Sequence, residues 1–442
     1  MTQGQNEAGA EMRVTGSMHM KRGFYAVMAA QFFSSLADNA LLIACIAVLA
    51  LLKSPPWMTP LLKLFFMLPY VFLAAFVGAF ADAYPKAQVM FVTNLVKVVG
   101  CGLLFLHVHP LIAYGLAGLG AAAYSPAKYG ILTELLPPEK LVAANAWVEG
   151  LTVLSIILGT VLGGALVSPH LAEILLKLNL HVVDANAVTI VDVALCVIII
   201  SYVVAAACNL NIPDTGVRYG KQEYSPARLI SEFAKCYAVL WKDRLGQISL
   251  AVTTLFWGTT AALQFIVLKW AEKSLGMKLD KAAVLLGVVA VGVALGAAAA
   301  ARTVPLKRSL SVMPMGILTG TVVILMTTVH SIAVAYPLLI AIGALSGYFV
   351  IPMNALLQHR GYVLMSAGHS IAVQNFNENL SALTMLALYA SMVKLEIGVN
   401  FIIIFFGLLL STAMFLIMRW HAANQRQFNV EAAIGEARAT AN

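Results

Sequence analysis

Gln31-Phe-Phe-Ser-Ser-Leu-Ala-Asp-Asn-Ala-Leu-Leu-Ile-Ala-Cys-Ile-Ala-Val-Leu-Ala-Leu-Leu52 carries a single charged side chain, Asp38, in a run long enough to cross a bilayer. A spanning helix needs about 20 apolar residues. Runs of this kind recur at 24–52, 63–82, 88–108, 110–127, 140–167, 188–211, 247–271, 282–301, 310–329, 332–352, 366–392 and 399–420. They predict an all-α membrane protein with 12 transmembrane helices. Composition agrees, with 61% hydrophobic and 11% charged residues and a mean hydropathy of +0.87. Soluble domains carry about 25% charged residues.

Short cytoplasmic loops collect Lys and Arg. With the N-terminus inside, nineteen of the 28 basic residues fall on the cytoplasmic side and eight outside, leaving Lys97 within the third span. Both termini are therefore expected in the cytoplasm. The net charge of +8 reflects this topology, and no nucleic-acid partner is implied. The tail 1–22 lacks a cleavage site behind a short apolar core, so the first span is retained as a helix. Both tails are expected to be disordered. Cys45, Cys101, Cys196, Cys208 and Cys236 form no CxxC and read as small core residues, with no disulfide or metal site. His107 and His109 flank an outer turn.

The longest cytoplasmic connection is 212–246. Within it Leu229, Ile230, Phe233, Tyr237, Leu240 and Trp241 share a helical face, which predicts an amphipathic helix suited to the inner membrane surface. The chain then divides into a tail 1–22, a six-helix half 23–211, the linker 212–246, a second six-helix half 247–421 and a tail 422–442. The halves echo one another at a fixed offset of 226: Pro126 matches Pro352, Glu149 matches Asn375 and Asp38 matches Gln264. A parallel repeat of pseudo-symmetric six-helix halves is the major facilitator architecture, in which substrates bind between the halves. Gly159-Thr-Val-Leu-Gly163 and Gly292-Val-Ala-Leu-Gly296 are GxxxG patterns. They are read either as a sliding contact between the fifth and eighth spans or as ordinary packing.

Intramembrane charge is costly, about 2.5–3.5 kcal/mol on insertion scales, and marks function by default. Asp38 and Asn39 come first, as a candidate substrate or coupling site. Lys97 is either their partner or a snorkelling lysine. Lys128 ends the fourth span and Glu149 lies in the fifth, both in the inner third of the membrane, where Lys128 would hold a phosphate. Asn354, Gln358, Gln374, Asn375, Asn377, Glu378 and Asn379 form an unusually polar set, joined by Gln264. Asp82, Lys86, Lys97 and Arg302 are the candidate gating residues. The sequence shows no Walker A motif and no His-x4-Asp pattern, so no enzyme activity is expected and no catalytic residue is assigned.

Asp38-Asn-Ala-Leu-Leu42, Gly120-Ala-Ala-Ala-Tyr-Ser-Pro-Ala-Lys-Tyr-Gly-Ile131, Phe256-Trp-Gly258, Pro352-Met-Asn-Ala-Leu-Leu-Gln358 and Ala372-Val-Gln-Asn375 resemble the bacterial lysophospholipid transporters of the major facilitator superfamily. The resemblance runs from about residue 22 to 420. It implies a flippase that moves lysophosphatidylethanolamine and lysophosphatidylglycerol from the outer to the inner leaflet of the inner membrane. An acyltransferase/acyl carrier protein synthetase would then reacylate the product. It also implies a monomer that contacts membrane lipids, with no cofactor beyond a coupling Na+ or H+. Tyr129 enters the candidate site with Lys128. Two departures stand out. Gly78-Ala-Phe-Ala-Asp82-Ala-Tyr-Pro-Lys86 is a degenerate facilitator signature. Some relatives carry an arginine where Gln264 stands, so Lys97 or an ion would take its place beside Asp38. The rival expectation is an ion-coupled exporter of small amphipathic compounds, with Asp38 as its protonation site. A third is a scaffold that transports nothing.

Overall fold

The computed structural model describes residues 3–55, 57–167, 190–220, 225–277, 279–427 and 434. The predicted outer-side Lys177 and Lys278, the first two residues of the sixth span and most of the tail beyond Gln427 lie outside them. The described residues form helices α1 (Gln3–Leu51), α2 (Met58–Phe72), α3 (Ala74–Ala83), α4 (Lys86–Gly102), α5 (Pro110–Leu135), α6 (Leu141–Leu166), α7 (Ile190–Asn209), α8 (Pro226–Lys242), α9 (Arg244–Ser274), α10 (Leu279–Thr303), α11 (Met313–Ile324), α12 (Ile332–Leu364), α13 (Ala367–Lys394) and α14 (Val399–Gln427).

Each predicted span falls on a helix or a helix pair. Eight helices are long and apolar enough to cross a membrane by themselves, and α2 with α3 makes a ninth, broken span. The remaining three predicted spans lie on α4, α5 and α13. The expected single span at 63–82 is bent by 66° where α2 meets α3. Pro69 sits inside α2 and removes a backbone donor close to the break. Pro126 and Pro352, the two echoing prolines, likewise lie inside α5 and α12.

The ends differ from expectation. Helix α1 starts at Gln3, within the tail expected to be disordered. At the other end, α14 continues past His421 to Gln427.

The chain groups into two compact units. Unit 1 comprises Met1–Phe72, Ala79–Leu136 and Leu154–Gln222; unit 2 comprises Leu73–Gly78, Pro137–Val153 and Glu223–Asn442. Unit 1 is built around Leu41, Cys45, Leu62, Tyr114, Leu195, Ile198 and Tyr202. The core of unit 2 gathers Ile266, Trp270, Leu339, Ile342, Ile403 and Phe406. Lipid tails are as apolar as these side chains, so packing rather than water exclusion closes the helices.

Glycine does much of that packing, within each unit. A Cβ on Gly159 would lie 2.5 Å from the Leu36 carbonyl oxygen of α1, and one on Gly163 3.0 Å from that of Ala40. In unit 2, Gly292 and Gly296 abut the α12 backbone at Ile340 and Ala344, while Gly343 and Gly347 abut α10 at Val289 and Val293. Within unit 1 the first GxxxG segment packs on α1, and within unit 2 the second packs on α12, as the ordinary-packing reading expects.

The amphipathic helix α8 also departs from its expected setting. Leu240 is buried with Leu250, Leu357 and Val373, and Phe233, Tyr237 and Trp241 pack on the same cluster. Phe233 and Tyr237 both meet the ring of Phe376 edge-on. Most of its apolar face is thus packed on the protein, while Ile230 stays 54% exposed. Asp243 then links two helices, capping α9 through the Gly246 N–H at 2.8 Å and accepting Arg360 of α12 at 2.8 and 3.0 Å.

Candidate functional site

In unit 1, Ser34 and Asp38 are four residues apart on α1 and therefore share a face, as do Asn94 and Lys97 on α4. The two faces meet. Lys97 Nζ donates to Asp38 Oδ2 at 2.7 Å and to Ser34 Oγ at 2.9 Å. Ser34 donates in turn to Asn94 Oδ1 at 2.8 Å, and the Tyr202 hydroxyl of α7 donates to Asp38 Oδ1 at 2.8 Å. The Lys97 side chain is 2% exposed and that of Asp38 17%. Lys97 does not snorkel; its ammonium points inward, 5.3 Å from the centroid of the Tyr124 ring and 5.8 Å from that of Tyr202. Gly120 gives the stem room, since a Cβ there would sit 2.6 Å from Lys97 Cγ. A buried ion pair is tolerable when its remaining valences are hydrogen-bonded, which Ser34 and Tyr202 accomplish. Beside it, Asn39 donates to the Ser35 carbonyl of its own helix.

A second cluster gathers Asp82, Lys86 and Glu134 with the start of the linker in unit 1. Lys86 donates to Asp82 Oδ1 at 2.7 Å and to the Ala81 carbonyl at 2.6 Å, with Glu134 Oε1 at 3.9 Å. Glu134 accepts the Thr215 hydroxyl at 2.7 Å and the Tyr219 hydroxyl at 2.8 Å. The Tyr219 ring lies 4.7 Å below the Lys86 ammonium. The start of the linker is therefore fastened to the loop that carries the degenerate signature. Lys128, also in unit 1, is buried with its ammonium 4.2 Å from the Tyr129 ring centroid.

Unit 2 holds the other candidates. Gln358 and Asn145 exchange two amide hydrogen bonds at 2.9 and 3.0 Å, both side chains buried. Gln374 Nε2 donates to Glu378 Oε1 at 2.8 Å and to Asn354 Oδ1 at 3.2 Å. The Thr253 hydroxyl of α9 also bonds Glu378, and the Glu149 carboxylate lies close enough to repel it. Asn377 and Asn379 turn back to carbonyls of their own helix, at Val373 and Asn375. This explains how so polar a run is tolerated in a span. Asn375 is buried. Gln264 is exposed on α9, and Arg302 is exposed in the last turn of α10.

The structure thus brings together Asp38 with Lys97, Asp82 with Lys86, and Glu378 with Asn354. Asn145, Tyr202, Glu134, Thr215 and Tyr219 escape sequence reasoning. Tyr202 leaves one trace, a hydroxyl in the middle of an apolar run, and Asn145 another, an amide one turn into a membrane helix.

The family described as Major Facilitator Superfamily matches residues 27–384. The lysophospholipid transporter LplT of Yersinia enterocolitica is 41% identical over 381 residues, which cover 86% of this chain and 89% of the relative. That of Photorhabdus laumondii is 38% identical over 403 residues, 91% of this chain and 96% of the relative. Among solved structures, the E. coli fucose:proton symporter FucP superposes with a TM-score of 0.69 at 11% identity, over 90% of this chain and 98% of that one. The human organic anion transporter MFSD10 gives 0.67 at 16% identity, over 90% and 99%. Likeness at such low identity speaks for the fold alone.

Proposed function

This chain belongs to the Major Facilitator Superfamily and, within it, to the lysophospholipid transporters, and from that we propose that it carries lysophospholipid from the outer to the inner leaflet of the bacterial inner membrane. The observation that carries the reading is an identity of 38–41% with named lysophospholipid transporters, sustained over at least 86% of this chain. The geometry supports it. A single-chain amphiphile needs fixed polar groups inside the membrane for its headgroup, and each unit buries such groups on membrane helices.

In this reading the two six-helix halves work by alternating access, both termini are cytoplasmic, the protein acts as a monomer, and it performs no chemistry on the lipid. A cytoplasmic-side acyltransferase/acyl carrier protein synthetase consumes the delivered lysolipid. Lys128 offers a point charge to the phosphate. Asp82 and Lys86 hold the cytoplasmic end of unit 1 as a gate. Asp38 already has a cation in Lys97, at 2.7 Å. A coupling Na+ or H+ acting at Asp38 would therefore have to displace an ammonium held by two hydrogen bonds.

The test is inward flipping of labelled lysophosphatidylethanolamine in liposomes that contain only this protein, with and without sodium and proton gradients. Flux above that of empty liposomes supports the reading, and the gradient that accelerates it identifies the coupling ion. Folded protein that gives no flux under any gradient removes the transport reading.

A further inference from the structure

Glu378 stands on α13 eleven residues from its first, about 16 Å along the helix at 1.5 Å per residue. That is deep in a hydrocarbon layer about 30 Å thick. Among the described residues its hydrogen-bond donors are neutral, Gln374 and Thr253, and the charge acting on it is another carboxylate, Glu149. This is the opposite of Asp38, which has a lysine. An ionised carboxylate at such depth without a cation is strongly disfavoured, so Glu378 either holds a proton or meets a positive partner, which the described residues do not supply.

Gln374 indicates what kind. It is 4% exposed, and its Oε1 has no hydrogen-bond partner among the described residues. The Gln374 NH2 faces Glu378, the orientation an ionised carboxylate requires because it only accepts. The carbonyl oxygen beside it is left as an unmet acceptor. Glu378, Gln374 Oε1 and Asn354 Oδ1 together present acceptors to a group that carries both positive charge and several N–H donors. Trp257 lies one turn beyond Thr253 on the same face of α9, and indole rings favour ammonium groups.

We infer that Glu378, Gln374 and Asn354 form the subsite that receives the primary ammonium of a zwitterionic lysophospholipid headgroup. The inference rests on the lysophospholipid reading above and sharpens it. This subsite distinguishes an ethanolamine headgroup from a glycerol headgroup, which has hydroxyls but no charge to offer.

The test compares inward flux of labelled lysophosphatidylethanolamine and lysophosphatidylglycerol in liposomes containing wild type, Glu378→Gln or Gln374→Met. Folding of each variant is checked by thermal unfolding in nanodiscs. The ratio of ethanolamine to glycerol lipid flux should fall about tenfold in Glu378→Gln, as expected for loss of a charge-assisted contact. It should fall less, but in the same direction, in Gln374→Met, which keeps the carboxylate. An unchanged ratio in both folded variants overturns the inference. So does an equal loss of both fluxes accompanied by loss of the sodium or proton dependence, which would make Glu378 an inorganic-cation site. A wild type that flips neither lipid is a different failure, because it removes the transport reading on which the inference stands.

Discussion

Removing the charge of Asp38 leaves the Lys97 ammonium buried among Ser34, Tyr124 and Tyr202 with no counter-ion. Breaking a buried pair from one side costs about 3–5 kcal/mol, whereas replacing both partners can be nearly neutral. Asp38→Asn and Lys97→Met should each lower the unfolding temperature in nanodiscs, and the double variant should recover most of the loss. A transport assay of the double variant then separates the roles. Stable and active protein means that the pair only braces unit 1; stable and inactive protein means that Asp38 also handles the headgroup. The same reasoning applies to Asn145 and Gln358. Gln358→Leu strands a buried amide and should cost about 1–3 kcal/mol, while the double change to leucine should cost less. How much of this is readable from the chain differs by residue. Asp38 announces itself as a lone charge in an apolar run, and Lys97 follows as the one basic residue well away from the ends of a predicted span. Their pairing does not follow, because Lys97 had a second physically sound outcome in snorkelling, and only tertiary contact with Ser34 and Tyr202 decides between them. Glu134 is still less legible, since its partners Thr215 and Tyr219 lie in a linker that no periodicity ties to α5.

Among the elements, the α10–α12 seam is the most demanding. A Cβ at Gly296 would sit 1.9 Å from the Ala344 carbonyl oxygen, and one at Gly347 2.1 Å from that of Val293. Backbone cannot step aside as a side chain can, so Gly296→Leu should cost at least about 2 kcal/mol and reduce the yield of folded protein. Gly164→Ala and Gly287→Ala, where nothing lies within 4 Å, should cost nothing and can raise stability by up to about 1 kcal/mol. Thermal unfolding of the three variants checks both halves of this expectation. The GxxxG spacing itself was visible in the sequence, but the helix each pattern faces was not. Small residues permit close approach without naming a partner. The linker helix teaches a related lesson. Its apolar stripe was legible, yet a stripe looks the same whether lipid or Phe376 covers it.

For the whole molecule, hydropathy is enough to give an all-helical membrane protein, while the facilitator type rests on the 226-residue echo and the motif resemblance. The family match over residues 27–384 agrees with that type. The 66° break in the second predicted span was beyond that reading, because a window average cannot see one proline redirect a helix. The orientation makes its own prediction. Cytoplasm-active reporters fused at the N-terminus or at the C-terminus should both work, and a periplasm-active reporter at either end should stay silent. The reverse pattern at either end would overturn the cytoplasmic placement of the termini. One consequence of the glycine seam reaches beyond packing. Single-chain lipids are surfactants, and a carrier of surfactants works in contact with a solvent able to pry helices apart. Where α10 and α12 touch backbone to backbone there is no groove for an acyl chain to wedge into. The seam would let the protein hold its cargo without being dissolved by it.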